Sequence, residues 1–317
     1  RRRRAPALAR SGDARRWHQA IAPLADDSPP GLALLGFACD AGVRRNHGRP
    51  GAAQGPAVLR TALANLAWHG GDTPLFDAGD IGCDDDGLED AQREYAERLA
   101  TFLRAGHRVL GIGGGHEIAW ATYQGIASAL HGDARLVRLG VLNFDAHLDM
   151  RPLLLSGDRA LGSSGTPFRQ IAAARVAAGL GFRYLCVGAS RASNTDALVA
   201  AARSRDTRIA WDTDCEGPAL ETTIEQLAAF VRDSSALYLT VCLDVLPASV
   251  APGVSAPAAL GLAPAALIAM LRAALAAADG AGIPVIADLA EFAPSLDPDG
   301  RSARIAARLL FELAALP

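Results

Sequence analysis

The stretch Leu139-Gly140-Val141-Leu142-Asn143-Phe144 runs directly into Asp145-Ala146-His147-Leu148-Asp149. The first part is almost entirely apolar, which predicts a strand buried on both faces, as in a parallel sheet. Asp145, His147 and Asp149 then occupy alternate positions, and alternate side chains of an extended chain point to the same side. Two carboxylates and an imidazole directed at one point indicate a divalent cation. A solvated loop is the alternative, and it explains one Asp better than three ligands at a regular spacing.

Short apolar runs alternate with longer helical patterns along the rest of the chain. The apolar runs begin near residues 31, 75, 108, 137, 183, 208, 236 and 283. This alternation predicts an α/β fold of three layers, in which helices cover both faces of one mostly parallel sheet. We assign residues 31–317 to a single domain of this kind. Residues 1–30 are expected to be a peripheral N-terminal extension, either poorly ordered or a short helix.

The composition restricts the classes of function. The net charge is −3, which gives no indication of nucleic-acid binding. The five cysteines are widely spaced without a CxxC pair, which argues against disulfides and structural zinc and suits a reducing cytoplasm. The segment 245–270 carries no charge, but four prolines interrupt it, so a buried loop and helix are favoured over a membrane span. No apolar segment follows the basic residues 1–4, so no signal peptide is indicated.

Three other predicted strands also end in polar residues. His116 follows Gly113-Gly114-Gly115 at the end of the strand at 108–112. A dinucleotide fingerprint requires Gly at the position of His116, and a P-loop requires Lys, a residue that this chain lacks entirely. The glycines are therefore expected to let the backbone approach closely and to place His116 at the edge of the sheet. Taken alone, such a histidine is more often a structural turn residue than a ligand.

Cys242 and Asp244 lie two positions apart at the end of the next such strand and should face the same side. Burying an unpaired carboxylate at the end of an apolar strand costs free energy, and a bound cation would offset that cost. A capping Asp beside a structural Cys explains the pair equally well. Glu291 follows the strand at 283–289, where its carboxylate could hold a cationic substrate group, although a surface Glu is the commoner explanation.

These strand ends combine into one predicted site, because open parallel sheets bind ligands outside the carboxyl ends of their strands. The candidate metal ligands are His116, Asp145, His147, Asp149 and Asp244. A set rich in oxygen with a minority of imidazole suits Mn²⁺ better than zinc. The set exceeds the needs of one ion, which suggests two ions about 3.5–4 Å apart that share a hydroxide.

On these motifs the sequence resembles the ureohydrolase (arginase/agmatinase) family, from about residue 31 to its end. Three segments are most similar to the branch that hydrolyses N-formimidoyl-L-glutamate in histidine degradation: residues 113–119, 164–168 and 243–257. The resemblance implies an arginase-like fold, two Mn²⁺ ions per subunit, a homo-oligomer and a small amidine or guanidine substrate. Neither nucleic acid nor a membrane is an expected partner.

The resemblance also implies a role for each site residue. The first ion would be held by His116, Asp145, Asp149 and Cys242. The second ion would be held by Asp145, His147, Cys242 and Asp244. The bridging hydroxide would attack the amidine carbon, with Asp149 orienting the hydroxide and Glu291 binding the amidinium group as catalytic residues. The products would be L-glutamate and formamide.

Two positions depart from the pattern of many family members. Ser164 stands where guanidine-cleaving relatives usually have His, which favours a substrate other than arginine. Cys242 stands where many relatives have a metal-bridging Asp, so it is either a tolerated variant of the branch or a weakness of the second ion. One alternative function is the hydrolysis of agmatine or a guanidino acid, with release of urea. A non-catalytic protein of the same fold, weakened at Cys242, is another.

The carboxylates of the substrate require a cationic partner, which must be Arg in a chain without Lys. The predicted substrate-binding residues lie on loops after strands: Arg49, Arg151, Ser164, Arg191, Asn194 and Glu291. We expect at least one of the three arginines to contact a carboxylate, with Asn194 as a hydrogen-bond partner.

Overall fold

The computed structural model describes residues 15–83 and 87–315. The first half of the predicted N-terminal extension, residues 1–14, lies outside the described residues. The strands are β1 (Ile21–Pro23), β2 (Leu32–Ala38), β3 (Leu75–Gly82), β4 (Arg108–Ile112), β5 (Leu139–Phe144), β6 (Leu154–Ser156), β7 (Arg159–Leu161), β8 (Arg183–Ala189), β9 (Arg208–Trp211), β10 (Ala236–Cys242) and β11 (Val285–Ala290). The helices are α1 (Trp17–Ala20), α2 (Ala41–Arg45), α3 (Gly55–Leu63), α4 (Leu88–Arg104), α5 (Ile118–Ala129), α6 (Ala134–Val137), α7 (Pro167–Ala177), α8 (Asp196–Arg203), α9 (Ala219–Arg232), α10 (Pro264–Gly280) and α11 (Arg301–Leu313).

Nine of these strands form one sheet in the order β1-β3-β2-β4-β11-β10-β5-β8-β9, and all their pairings are parallel. β5, β10 and β11 are buried along their whole length, as their apolar sequences predict. Two hydrophobic clusters lie on opposite faces of the sheet. One packs beneath α3, α9, α10 and α11, and the other beneath α4, α5, α7 and α8. The predicted three-layer α/β fold is confirmed.

The described part of the N-terminal segment packs on the edge of the sheet. β1 pairs with β3, and the buried indole of Trp17 meets Trp68 edge to face with ring centroids 5.2 Å apart. A strand of three residues is too short to show a period in the sequence. The short hairpin of β6 and β7 was missed for the same reason.

The sheet order sets the location of the site. β4, β11, β10 and β5 are consecutive in the sheet, and they are the four strands that end in the candidate residues. Since all four run parallel, their carboxyl ends meet at one edge. Among the described helices, none combines the length and the apolar character that crossing a membrane would require.

Candidate metal centre

Gly113 to Gly115 hold His116 at this edge by close backbone contacts. A Cβ atom on Gly114 would lie 1.8 Å from the carbonyl oxygen of Cys39, so only glycine fits there. The backbone N–H of Glu291 donates to the carbonyl of Gly114 (2.8 Å), and that of His116 donates to Glu291 Oε1 (2.8 Å). The loops after β4 and β11 are thereby tied together.

One group of candidate ligands centres on His116. Its Nδ1 atom lies 2.9 Å from Asp145 Oδ2 and 3.0 Å from Asp149 Oδ2. Although these distances are short, the buried Nδ1 makes no aligned hydrogen bond to any described residue. Cys242 completes the group, because ligand atoms of His116, Asp145 and Cys242 all lie within 4.8 Å of one another. Donor atoms that converge without bonding one another are what a metal ion requires.

A second group shares Asp145 with the first. His147 Nδ1 lies 3.5 Å from Asp145 Oδ1 and 3.2 Å from Asp244 Oδ2, and the ligand atoms of these three residues again lie within 4.8 Å of one another. Asp145 therefore turns one oxygen towards His116 and the other towards His147. A carboxylate in this arrangement can bridge two adjacent cations. The other oxygen of Asp244 is buried without a hydrogen-bond partner among the described residues.

The charges of the site need a cation to balance them. Burial and the neighbouring Asp145 raise the pKa of Asp149 to about 6. Burial alone would lower the pKa of His116, yet the carboxyl groups of Asp145 and Asp149 raise it well above its ordinary value. Burial and the surrounding carboxylates also raise the pKa of the Cys242 thiol. Each shift favours a proton, which a divalent cation would replace, so these residues fit a metal centre.

Two site residues adopt backbone conformations that non-glycine residues rarely adopt. Asp149 has a φ of 45° and Glu291 a φ of 70°, both in the left-handed region. Strained backbone of this kind is held in place by its surroundings and clusters at functional sites. In both residues the conformation carries the carboxylate to the wall of the same cavity.

A buried asparagine behind the first group was not identified from the sequence. Asn143 Nδ2 donates to Asp145 Oδ2 (3.1 Å) and to the hydroxyl of Tyr184 (3.0 Å). It fixes the Asp145 carboxylate from the side facing the core. A polar residue within an apolar strand, two positions before the metal motif, was the signal available in the sequence.

The candidate groups face a cavity of about 70 Å³. Its walls contain Asn46, His147, Asp149, Arg151, Ser164, Cys242, Asp244, Ser255, Ala256 and Glu291. Of the predicted substrate-binding residues, the cavity brings together Arg151, Ser164 and Glu291. Asn46, which was not predicted, donates to Ser164 Oγ (3.2 Å) and accepts from Arg151 Nη1 (3.3 Å).

The other predicted substrate-binding residues lie outside this wall and are occupied elsewhere. The guanidinium group of Arg49 donates to the carbonyls of Val254 and Ser255 (2.7 and 2.9 Å), so it fixes a loop that reaches the cavity. Arg191 stacks over Trp211, 4.1 Å from the ring centroid. For these two arginines the structure offers no direct contact with the site.

Asn194, also predicted to bind substrate, makes all its side-chain hydrogen bonds within the described residues to backbone groups. Its Oδ1 accepts from the N–H of Leu148 (2.9 Å), and its Nδ2 donates to the carbonyls of Ala146 (2.9 Å) and Ser190 (2.8 Å). The buried amide therefore braces the loop that carries His147 and Asp149 rather than facing the cavity. A sequence does not distinguish an amide that binds backbone from one that binds substrate.

Comparison with known families agrees with this geometry. The sequence model described as Arginase family matches residues 30–315. The formimidoylglutamase of Aromatoleum aromaticum is 48% identical over 307 residues, which cover 94% of this chain and 87% of that protein. The formimidoylglutamase of Chromobacterium violaceum is 46% identical over 301 residues, which cover 95% of this chain and 93% of that protein.

Solved structures show the same fold. The formiminoglutamase of Trypanosoma cruzi with Mn²⁺ superposes with a TM-score of 0.80 at 25% identity, covering 96% of this chain and all (100%) of that one. The arginase of Bacillus subtilis gives a TM-score of 0.73 at 21% identity, over 90% of this chain and 99% of that one. The second likeness concerns the fold alone.

We expect Asn194→Ala to weaken Mn²⁺ binding by about tenfold or more, because the loop of His147 and Asp149 loses its brace. Calorimetric titration of the metal-free protein with Mn²⁺ measures this effect. The exposed Asn65 provides a control, and Asn65→Ala should bind Mn²⁺ like the wild type. Unchanged Mn²⁺ affinity in Asn194→Ala would show that the loop does not depend on this amide.

Proposed function

The chain belongs to the arginase family, and on that premise we propose that it hydrolyses N-formimidoyl-L-glutamate to L-glutamate and formamide, a reaction of histidine degradation, with two Mn²⁺ ions per subunit. The observation that carries the proposal is the convergence of two ligand groups on the shared Asp145, at a cavity that also contains Glu291 and Arg151. Both relatives named above are formimidoylglutamases.

The two ligand groups supply the proposed metal sites. His116, Asp145, Asp149 and Cys242 would hold the first ion, and Asp145, His147, Cys242 and Asp244 the second. When bound, Mn²⁺ lowers the pKa of water and so supplies hydroxide at neutral pH. Cys242 offers one sulfur atom where a carboxylate would offer two oxygens, so Asp145 would be the one carboxylate common to both proposed ligand sets.

Glu291 and Asp149 would act directly on the reacting groups. The carboxyl group of Glu291 is buried at the cavity wall, where a cationic amidinium would offset the cost of its charge. Burial, and then Glu117 and Asp244, raise the pKa of Glu291 well above its ordinary value, which marks the need for a positive partner. Asp149 would accept a hydrogen bond from the attacking oxygen and orient it towards the amidine carbon.

The bond changes follow from this arrangement. The oxygen of water adds to the formimidoyl carbon, and the bond from that carbon to the glutamate nitrogen breaks. The nitrogen leaves as an amine with a proton that came from the attacking water, and the carbon remains in formamide. Ser164 has no basic atom to transfer this proton, which distinguishes the site from one that uses a histidine at this position.

We assign the rest of the substrate to the space beside the cavity. The cavity of about 70 Å³ suits the one-carbon amidine group. Arg151 also lines an adjoining groove of about 400 Å³, together with Arg169, Ser193 and Thr195. Glutamate carries two carboxylates, and Arg151, which lines both the cavity and the groove, would bind one of them. Assembly into a homo-oligomer and a cytoplasmic location stay predictions.

We expect the Mn²⁺-loaded protein to release formamide from N-formimidoyl-L-glutamate, and little or no urea from agmatine or guanidino acids. Product analysis of parallel reactions measures both. Urea release at a comparable rate would support the guanidine-cleaving alternative and contradict the proposal. No turnover of any of these substrates, with Cys242→Asp gaining both metal and activity, would support a non-catalytic protein weakened at Cys242.

We expect Arg151→Ala to raise KM for N-formimidoyl-L-glutamate by about 10–100-fold with Mn²⁺ affinity unchanged, because a charge-assisted hydrogen bond contributes about 1.5–3 kcal/mol. Steady-state kinetics at saturating Mn²⁺ give this value. Arg191→Ala is the matched control, since it removes an arginine that stacks on Trp211 outside the cavity. Equal KM values in the two variants would contradict the role of Arg151.

A further inference from the structure

Another buried carboxylate, that of Asp288, lies close to the first ligand group and has no part in the proposed chemistry. Asp288, in the middle of β11, is completely buried. Its Oδ2 accepts hydrogen bonds from the hydroxyls of Thr122 (2.7 Å) and Tyr238 (2.8 Å). Its Oδ1 has no aligned partner among the described residues. Burying an apolar residue in the core of a parallel sheet would cost less free energy than burying a carboxylate, so the presence of Asp288 there requires an explanation.

Thr240 connects Asp288 to the metal centre. Thr240 and Asp288 are direct partners in the pairing of β10 with β11, which places their side chains on the same face of the sheet. The Thr240 hydroxyl lies 3.1 Å from His116 Nε2 on its other side. Burial raises the pKa of Asp288, and the hydroxyls of Thr240, Thr122 and Tyr238 act in the opposite direction. Thr240 thus stands between the carboxylate and the imidazole.

The neighbouring strand is shaped to admit this carboxylate. Gly111 of β4 is the partner of Asp288 on its other side. A Cβ atom on Gly111 would lie 2.6 Å from the Cβ of Asp288 and 2.6 Å from the hydroxyl of Tyr95. The glycine therefore leaves the space that Asp288 and Tyr95 occupy.

We propose that Asp288 is a positioning residue for His116 and acts on it through the Thr240 hydroxyl. In this role the hydroxyl of Thr240, the strand partner of Asp288, would direct its hydrogen towards the carboxylate, whose Oδ1 has no aligned partner among the described residues. Its oxygen would then accept from the Nε2–H of His116. The imidazole would then keep its proton on Nε2, and the lone pair of Nδ1 would be free for a cation held between this nitrogen and the carboxylates of Asp145 and Asp149. Metal-binding histidines commonly depend on such a partner behind the ring, which fixes the tautomer and the orientation.

This inference rests on the proposed role of His116 as a ligand, and the two can fail separately. If wild-type protein binds no Mn²⁺, or if His116→Ala, which leaves no donor atom at that position, binds it equally well, the role of His116 is overturned. If the wild type binds Mn²⁺ in a manner that depends on His116, then variants of Thr240 and Asp288 decide whether these two residues position the His116 ring.

The structure offers a matched pair of variants for this test. Thr240→Val and Thr122→Val each remove one buried hydroxyl beside Asp288, but only Thr240 contacts His116. In calorimetric titration of the metal-free full chain with Mn²⁺, we expect Thr240→Val to bind about 10–100-fold more weakly than wild type. Thr122→Val should stay within about threefold of wild type, and Thr240→Ser should recover most of the lost affinity.

Asp288→Asn keeps the volume of the side chain and removes one acceptor, so it should weaken Mn²⁺ binding by about tenfold. It also tests the proposal should Thr240→Val fail to fold. Equal losses in Thr240→Val and Thr122→Val would show that the cluster only stabilises the core, and would overturn the proposal. Wild-type affinity in Thr240→Val or in Asp288→Asn would overturn it as well.

Discussion

The structure depends on one electrostatic constraint, which is the burial of several acidic side chains at one edge of an apolar sheet. Asp145, Asp244 and Glu291 are almost completely withdrawn from solvent at the ends of three adjacent strands. Burying an isolated carboxylate costs several kcal/mol even after the surroundings relax, so the arrangement is stable only with compensating positive charge. Protons supply that charge in part, and divalent cations would supply it more completely. The glycine loop and the strained φ angles at this edge serve to bring the acidic groups together.

A layer of neutral polar groups behind the ligands gives the site its shape. Asn143 holds the carboxylate of Asp145, Asn194 holds the loop after β5, and Thr240 lies behind the ring of His116. None of these side chains needs to face the cavity to affect the reaction. Small displacements of a ligand change metal affinity strongly, and these partners restrict such displacements. This supporting role of polar groups behind the ligands explains why several polar residues lie in an otherwise apolar core.

Much of this architecture could be predicted from the sequence. Apolar runs separated by helical patterns indicated the layered parallel sheet, and the spacing of Asp145, His147 and Asp149 indicated the cation. That the four strands of the site are neighbours in the sheet could not be predicted from the sequence, because sheet order depends on packing between residues far apart in the chain. The contacts of loop residues could not be predicted for the same reason. Tertiary structure alone decides whether such a residue contacts backbone, as Asn194 and Arg49 do, an aromatic ring, as Arg191 does, or the cavity, as Arg151 does. Asn143 and Asp288 carried a visible signal, a polar residue inside a buried strand.

Anomalous X-ray scattering from crystals of the full chain grown with Mn²⁺ tests the two-metal centre most directly. We expect two peaks about 3.5–4 Å apart, one on each side of Asp145. One peak should lie beside His116 and Asp149, and the other beside His147 and Asp244. A single peak, or peaks away from this cavity, would contradict the assignment of Asp145 as the carboxylate shared by two ions.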